Sequence, residues 1–82
     1  MELTEAAQLL VELVEKCDSL TGSSFALMPP NPALTLLEGY KLHVSIPSGV
    51  DRDTELRVKN IVYGHGLNLT VEREGFMVYK KR

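Results

Sequence analysis

Gly39-Tyr40-Lys41-Leu42-His43-Val44-Ser45-Ile46-Pro47 is the stretch on which the fold turns. Tyr40, Leu42, Val44 and Ile46 alternate with Lys41, His43 and Ser45. Successive side chains of a strand point to opposite faces, so the four apolar groups share one face and the three polar groups the other. This alternation marks a half-buried strand. Pro47 has no amide proton and ends the ladder. Such a strand is unstable alone and needs strands beside it and an apolar cover over one face.

Immediately upstream, Leu34-Thr35-Leu36-Leu37 leads into Glu38-Gly39. Two residues between apolar runs, the second a glycine, predict a tight hairpin. Before it, Met28-Pro29-Pro30-Asn31-Pro32-Ala33 places three prolines in four residues, which excludes helix and predicts a rigid loop. Phe25-Ala26-Leu27-Met28 fits a short strand or an extended lead-in. The chain opens with a helix predicted over Thr4–Ser19, with Thr4 as N-cap and Gly22 as the stop. Ala6, Leu9, Leu10, Leu13, Val14, Cys17 and Leu20 recur at three- and four-residue steps and form its core stripe.

Downstream, Asp51 is the preferred N-cap of a second helix. Thr54, Val58, Ile61, Val62 and His65 lie on one of its faces, and Gly64 and Gly66 end it. Leu67, Leu69 and Val71 alternate with Asn68, Thr70 and Glu72 as a second half-buried strand. Glu74-Gly75 is read as the turn into Phe76-Met77-Val78-Tyr79, and Lys80-Lys81-Arg82 follows as a basic tail. Glu38-Gly39-Tyr40 and Glu74-Gly75-Phe76 stand about 36 residues apart and suggest an internal repeat.

The order is therefore α-β-β-α-β-β. We expect one α+β domain over residues 1–82, a two-layer sandwich with two helices on one face of a mostly antiparallel sheet of about four strands. The uncovered face would carry Lys41, His43, Ser45, Asn68, Thr70 and Glu72, with Met77 and Tyr79.

Composition narrows the function classes. The chain is 44% hydrophobic and 24% charged, an ordinary globular balance. It has no apolar run near the roughly 20 residues that span a bilayer. Glu2 and Glu5 occupy positions where a signal sequence would be basic, so a cytoplasmic protein is expected. The single Cys17 excludes an internal disulfide and sits on the apolar helix face as a small hydrophobe. Residues 1–38 carry one positive and six negative charges, and residues 39–82 eight positive and five negative.

No phosphate loop, dinucleotide fingerprint or nucleophile elbow is present, and no cofactor is expected. His43, His65, Asp51 and Asp53 contain metal-ligand chemistry, but neither histidine stands four residues from another ligand on a helix, so no metal site is assigned. No nucleophile, base and stabiliser come together, so catalysis is not expected. The leading expectation is a small module for protein–protein interaction, including self-association as a homodimer through sheet edges. The acidic and basic halves favour such pairing. The alternative is weak nucleic-acid binding by the open sheet face and basic tail, through Lys41, His43, Tyr79, Lys80, Lys81 and Arg82, with Arg52, Arg57 and Lys59 on the second helix.

Overall fold

The computed structural model describes residues 1–30 and 39–81. Helix α1 spans Leu3–Lys16 and is followed by a 3-10 turn at Asp18–Leu20. Strands β1 (Ser24–Met28) and β2 (Lys41–Ser45), helix α2 (Arg52–Gly64) and strands β3 (Asn68–Glu72) and β4 (Gly75–Tyr79) complete the order. The four strands form one sheet in the order β1-β2-β4-β3, with every neighbouring pair antiparallel. The expected two-layer α+β sandwich is thus the observed fold.

The core lies between the helices and one sheet face. Leu42, Val44 and Ile46 from β2 and its extension meet Phe76 and Val78 of β4. Ala6, Leu9 and Leu13 of α1, then Cys17 and Leu20, cover them together with Val58 and Val62 of α2. Each fully buried large aliphatic contributes about 1.5–3 kcal/mol. Thr54 is the one polar side chain in this interior among the described residues. Its hydroxyl shares a 2.7 Å hydrogen bond with Ser19, which ties the 3-10 turn to α2. The Asp51 carboxylate accepts the Thr54 amide at 2.7 Å, so the expected cap of α2 is in place.

Helix α1 departs from expectation at both ends. It starts at Leu3, not after Thr4, and the cap position is Glu2, whose side chain makes no capping bond. Tertiary contact sets the start: buried Met1 accepts the Tyr40 amide at 2.7 Å through its carbonyl. Gly39 permits this approach, because a Cβ there would stand 2.3 Å from the Met1 carbonyl oxygen. At the other end Cys17 leaves helical geometry (φ −122°, ψ 90°), so α1 stops at Lys16 and Leu20 reaches the core from the turn. Val14, expected in the core stripe, is 37% exposed.

The strand pairing also differs. The two neighbours of β2 are β1 and β4, so Phe25-Ala26-Leu27-Met28 is a true strand and the partner of β2. The strand expected at Leu34–Leu37, with its turn residue Glu38, lies outside the described residues, as do Asn31, Pro32 and Ala33 of the proline-rich loop. Between β3 and β4 the register sets Glu72 opposite Gly75, so the two turn residues are Arg73 and Glu74. Gly75 is the first residue of β4, one position earlier than expected. Leu42 faces Val78 across the centre of the sheet.

Candidate functional site

Two surfaces remain for function: the sheet face away from the helices, and the side of the molecule bounded by β1. The open face follows from the strand alternation. Ser24, Ala26 and Met28 of β1 lie opposite Ser45, His43 and Lys41 of β2. His43 lies opposite Met77 of β4, and Thr70 and Asn68 of β3 lie opposite Met77 and Tyr79. Lys41, His43 and Tyr79 therefore share this face, as the sequence pattern implies, and all three are half-buried. Lys80 is half-buried and Lys81 exposed just beyond β4, and Arg82 lies outside the described residues.

The face is not uniformly basic. Glu72 Oε1 lies 3.6 Å from His43 Nε2, and the Thr70 and Tyr79 hydroxyls share a 3.0 Å hydrogen bond. An open hollow of about 380 Å³ at its end is lined by His43, Ser45, Pro47, Glu72, Arg73 and Glu74. The helical basic residues are on the other layer, where Arg57 pairs with Asp53 at 3.2 Å and Lys59 with Glu55 at 4.0 Å; Arg52, at the start of α2, is exposed. The two basic groups expected to form one nucleic-acid surface thus lie on opposite sides of the sheet.

The histidines are also separated. His65 closes α2 and donates from Nε2 to Glu12 Oε2 of α1 at 2.6 Å, while Lys16 Nζ donates to Glu12 Oε1 at 2.8 Å. Asp51 is engaged as a helix cap. Among the described residues no group of three metal-ligating side chains occurs. Burial pushes the Cys17 thiol above its ordinary pKa, which leaves it a poor nucleophile.

Lys16, then His65, hold the Glu12 carboxyl below its ordinary pKa of 4.5 by hydrogen bonding, and the Thr54 amide does the same for Asp51 from 3.8. A carboxylate with a depressed folded pKa stabilises the fold above its unfolded pKa, and that contribution is lost as pH falls through the folded value. The urea midpoint should therefore hold level from neutral pH to about 5 and fall on further acidification. Glu12→Gln should lower the midpoint at pH 7 and flatten the acid fall. Urea titrations followed by circular dichroism at pH 7 and at pH 3 measure this, and an undiminished acid fall in the variant would remove Glu12 from the account.

The β1 side was not among the expected site residues. Strand β1 has one neighbour, β2, among the described residues, and Ser24-Phe25-Ala26-Leu27-Met28 carries no charge. Natural edge strands are usually blunted by charge, and β1 is not. The opposite edge, β3, ends in Glu72 and is packed by α2. Helix α1 packs over β2 and α2 over β3, so the flank of α1 away from α2 is on the β1 side of the sheet. Glu12 faces α2, and on a helix of 3.6 residues per turn Leu3, Leu10 and Val14 then fall on the side away from α2, toward β1, with Ala7 and Val11 beyond them. Leu3 is 50% exposed, Val11 52%, Val14 37% and Leu27 36%. The steps Leu3-Ala7-Val11-Val14 make this second stripe legible in the sequence, but it merges with the core stripe there.

In comparisons with known proteins, no family model, no curated protein and no solved structure matches this chain significantly. No helix among the described residues is long and apolar enough to cross a membrane.

Proposed function

We propose that this chain is a small protein-interaction module that acts by binding and not by catalysis, and that it binds through the edge of β1 that pairs with no other strand among the described residues and the adjoining flank of α1. The observation that carries this reading is the uncharged edge of Ser24–Met28, four of whose five residues are exposed. An open edge presents backbone donors and acceptors that another chain satisfies by adding a strand, and the apolar flank supplies the non-directional part of the contact. The ion pairs within α1 and α2 leave charge a smaller role than the acidic and basic halves of the sequence suggest. The open sheet face is the weaker candidate, because Glu72 sits beside His43 and Tyr79 is its one aromatic among the described residues.

A photo-activated cross-linking side chain placed at Val11 or Leu27 tests the reading in cells, with Tyr63 on the outer surface of α2 as the control site. Protein adducts, of this chain or another, should form from Val11 and Leu27 and not from Tyr63. Adducts to nucleic acid in their place, or equal yield from Tyr63, would remove the reading. Salt gives an independent check: binding to phosphates weakens steeply with rising salt, whereas edge pairing with apolar contact does not.

A further inference from the structure

The phase of the backbone hydrogen bonds determines what the β1 edge can accept. The Ile46 amide donates to the Glu74 carbonyl, directly opposite in the β2–β4 register, at 2.7 Å. In an antiparallel pair such hydrogen-bonded positions alternate with non-bonded ones. Val44 and Leu42 therefore also direct their backbone groups to β4, and Lys41, His43 and Ser45 direct theirs to β1. The Tyr40 amide, which points to Met1 and not toward β1, keeps the same alternation. In β1 the groups turned to β2 are those of Ser24, Ala26 and Met28. The N–H and C=O of Phe25 and Leu27 point outward, and Pro29, next in phase, has no N–H to offer.

This pattern is complementary to itself. Resting on the reading of β1 as the binding edge, we propose that its partner is a second copy of this chain, joined antiparallel across a two-fold axis at Ala26. Phe25 then exchanges both backbone hydrogen bonds with the partner's Leu27, and Leu27 with the partner's Phe25. Ala26 meets its own counterpart in the closer, non-bonded type of pair, with Cα atoms about 4.5 Å apart. Its small side chain suits that spacing. The two sheets join into one of eight strands, the order β3-β4-β2-β1 continuing through β1 of the partner.

Three further features favour a second copy over a different strand. A two-fold interface brings each residue near its own kind, so charge in the patch would repel. The strand that makes the pairing, Ser24–Met28, contains none. The roof also fits. Each α1 packs over its own β2, so three strand spacings put the paired helix axes roughly 14 Å apart, beyond the 8–10 Å of helices in direct contact. Leu10, Val14, Phe25 and Leu27 from both copies fill that gap. Finally, Pro29-Pro30 bounds the strand and restricts slippage to other registers.

Ala26→Cys gives the sharpest test. The proposed register places the two new thiols within the 4.4–6.8 Å Cα range of a disulfide, so mild oxidation should convert the protein to a covalent dimer of twice the 9.1 kDa chain. Thr70→Cys, on the exposed part of β3, should not cross-link at the same rate, and native Cys17 is buried and does not interfere. By sedimentation the native chain should dimerise, and Leu27→Lys, at a partly exposed position, should raise the dissociation constant about 100-fold with an unchanged circular dichroism spectrum. A monomer at every concentration, or equal cross-linking of Thr70→Cys, would overturn the two-fold pairing. If the Val11 and Leu27 cross-linkers still captured a different protein, binding through this edge would stand and the second copy would not. If they captured none, both would fall.

Discussion

Gly75→Ala should remove more than half of the protein's stability at 25 °C. A Cβ built on Gly75 would stand 2.0 Å from the Val44 carbonyl oxygen, 3.1 Å from its carbon and 3.3 Å from Ser45 Cα. All three are backbone atoms of the central strand β2, so no side chain can swing aside to relieve the clash. Gly75 also has φ +155°, a conformation other residues rarely adopt. The variant must lift β4 from β2 or rearrange the Arg73-Glu74 turn, and both open the middle of the sheet. A loss of about 3 kcal/mol or more is expected, set against a total stability of order 5 kcal/mol for a small domain. Urea unfolding by circular dichroism checks this, with Gly64→Ala as the control, since a Cβ on Gly64 meets nothing within 4 Å. A near-native midpoint for Gly75→Ala would show that β4 tolerates a shift against β2.

Phe76→Ala should cost about 3–5 kcal/mol, the range for removing a buried phenyl ring. Phe76 is 1% exposed and lies opposite Val44 on one side and Val71 on the other. Its ring therefore fills the core where β2, β4 and both helices converge, and neighbouring backbone held in the sheet collapses little into the space left. Val71→Ala, at a 36% exposed position in the same row of the sheet, should cost under about 1 kcal/mol. The difference between the two urea midpoints, measured at equal denaturant slopes, is the test. Comparable losses would mean that the row is packed as tightly at its edge as at its centre.

The pairing proposal sets these core variants apart from the surface ones. Leu27→Lys changes association and leaves the fold, whereas Gly75→Ala and Phe76→Ala weaken the fold and, with it, association. A dimer would also add to apparent stability as protein concentration rises, so the unfolding midpoints of the native chain should be compared at one fixed concentration.

Much of the architecture was readable from periodicity. The alternation at Tyr40–Ile46 and Leu67–Glu72 placed two strands and assigned their faces, because a period of two leaves no choice of side once one face is apolar. The Asp51 cap was readable because its carboxylate acts only three residues away, on the Thr54 amide. Positions set by distant contacts were not. Thr4 has the right chemistry for a cap, yet Met1 held against Tyr40 starts α1 earlier. The turn at Arg73-Glu74 was misplaced by one residue, because the fit of Gly75 against Val44 decides it and no local pattern shows that fit. The candidate site divides in the same way. The open face carrying Lys41, His43 and Tyr79 was legible from alternation. The β1 edge was not, since Ser24–Met28 reads alike whether a strand is central or at an edge.

The sequence by itself determined the class of fold, the order of its elements and most of the side chains that enter the core, because helical and strand periods sort apolar groups within a few residues. Only the tertiary structure decided that β1 pairs with β2, that β4 lies between β2 and β3, and that, among the described residues, the outer edge of uncharged β1 has no strand beside it. Strand order depends on packing between segments far apart in the chain, and hydrogen bonds of the same kind satisfy the backbone in any order. The free edge, and with it the proposed partner, is a property of that arrangement.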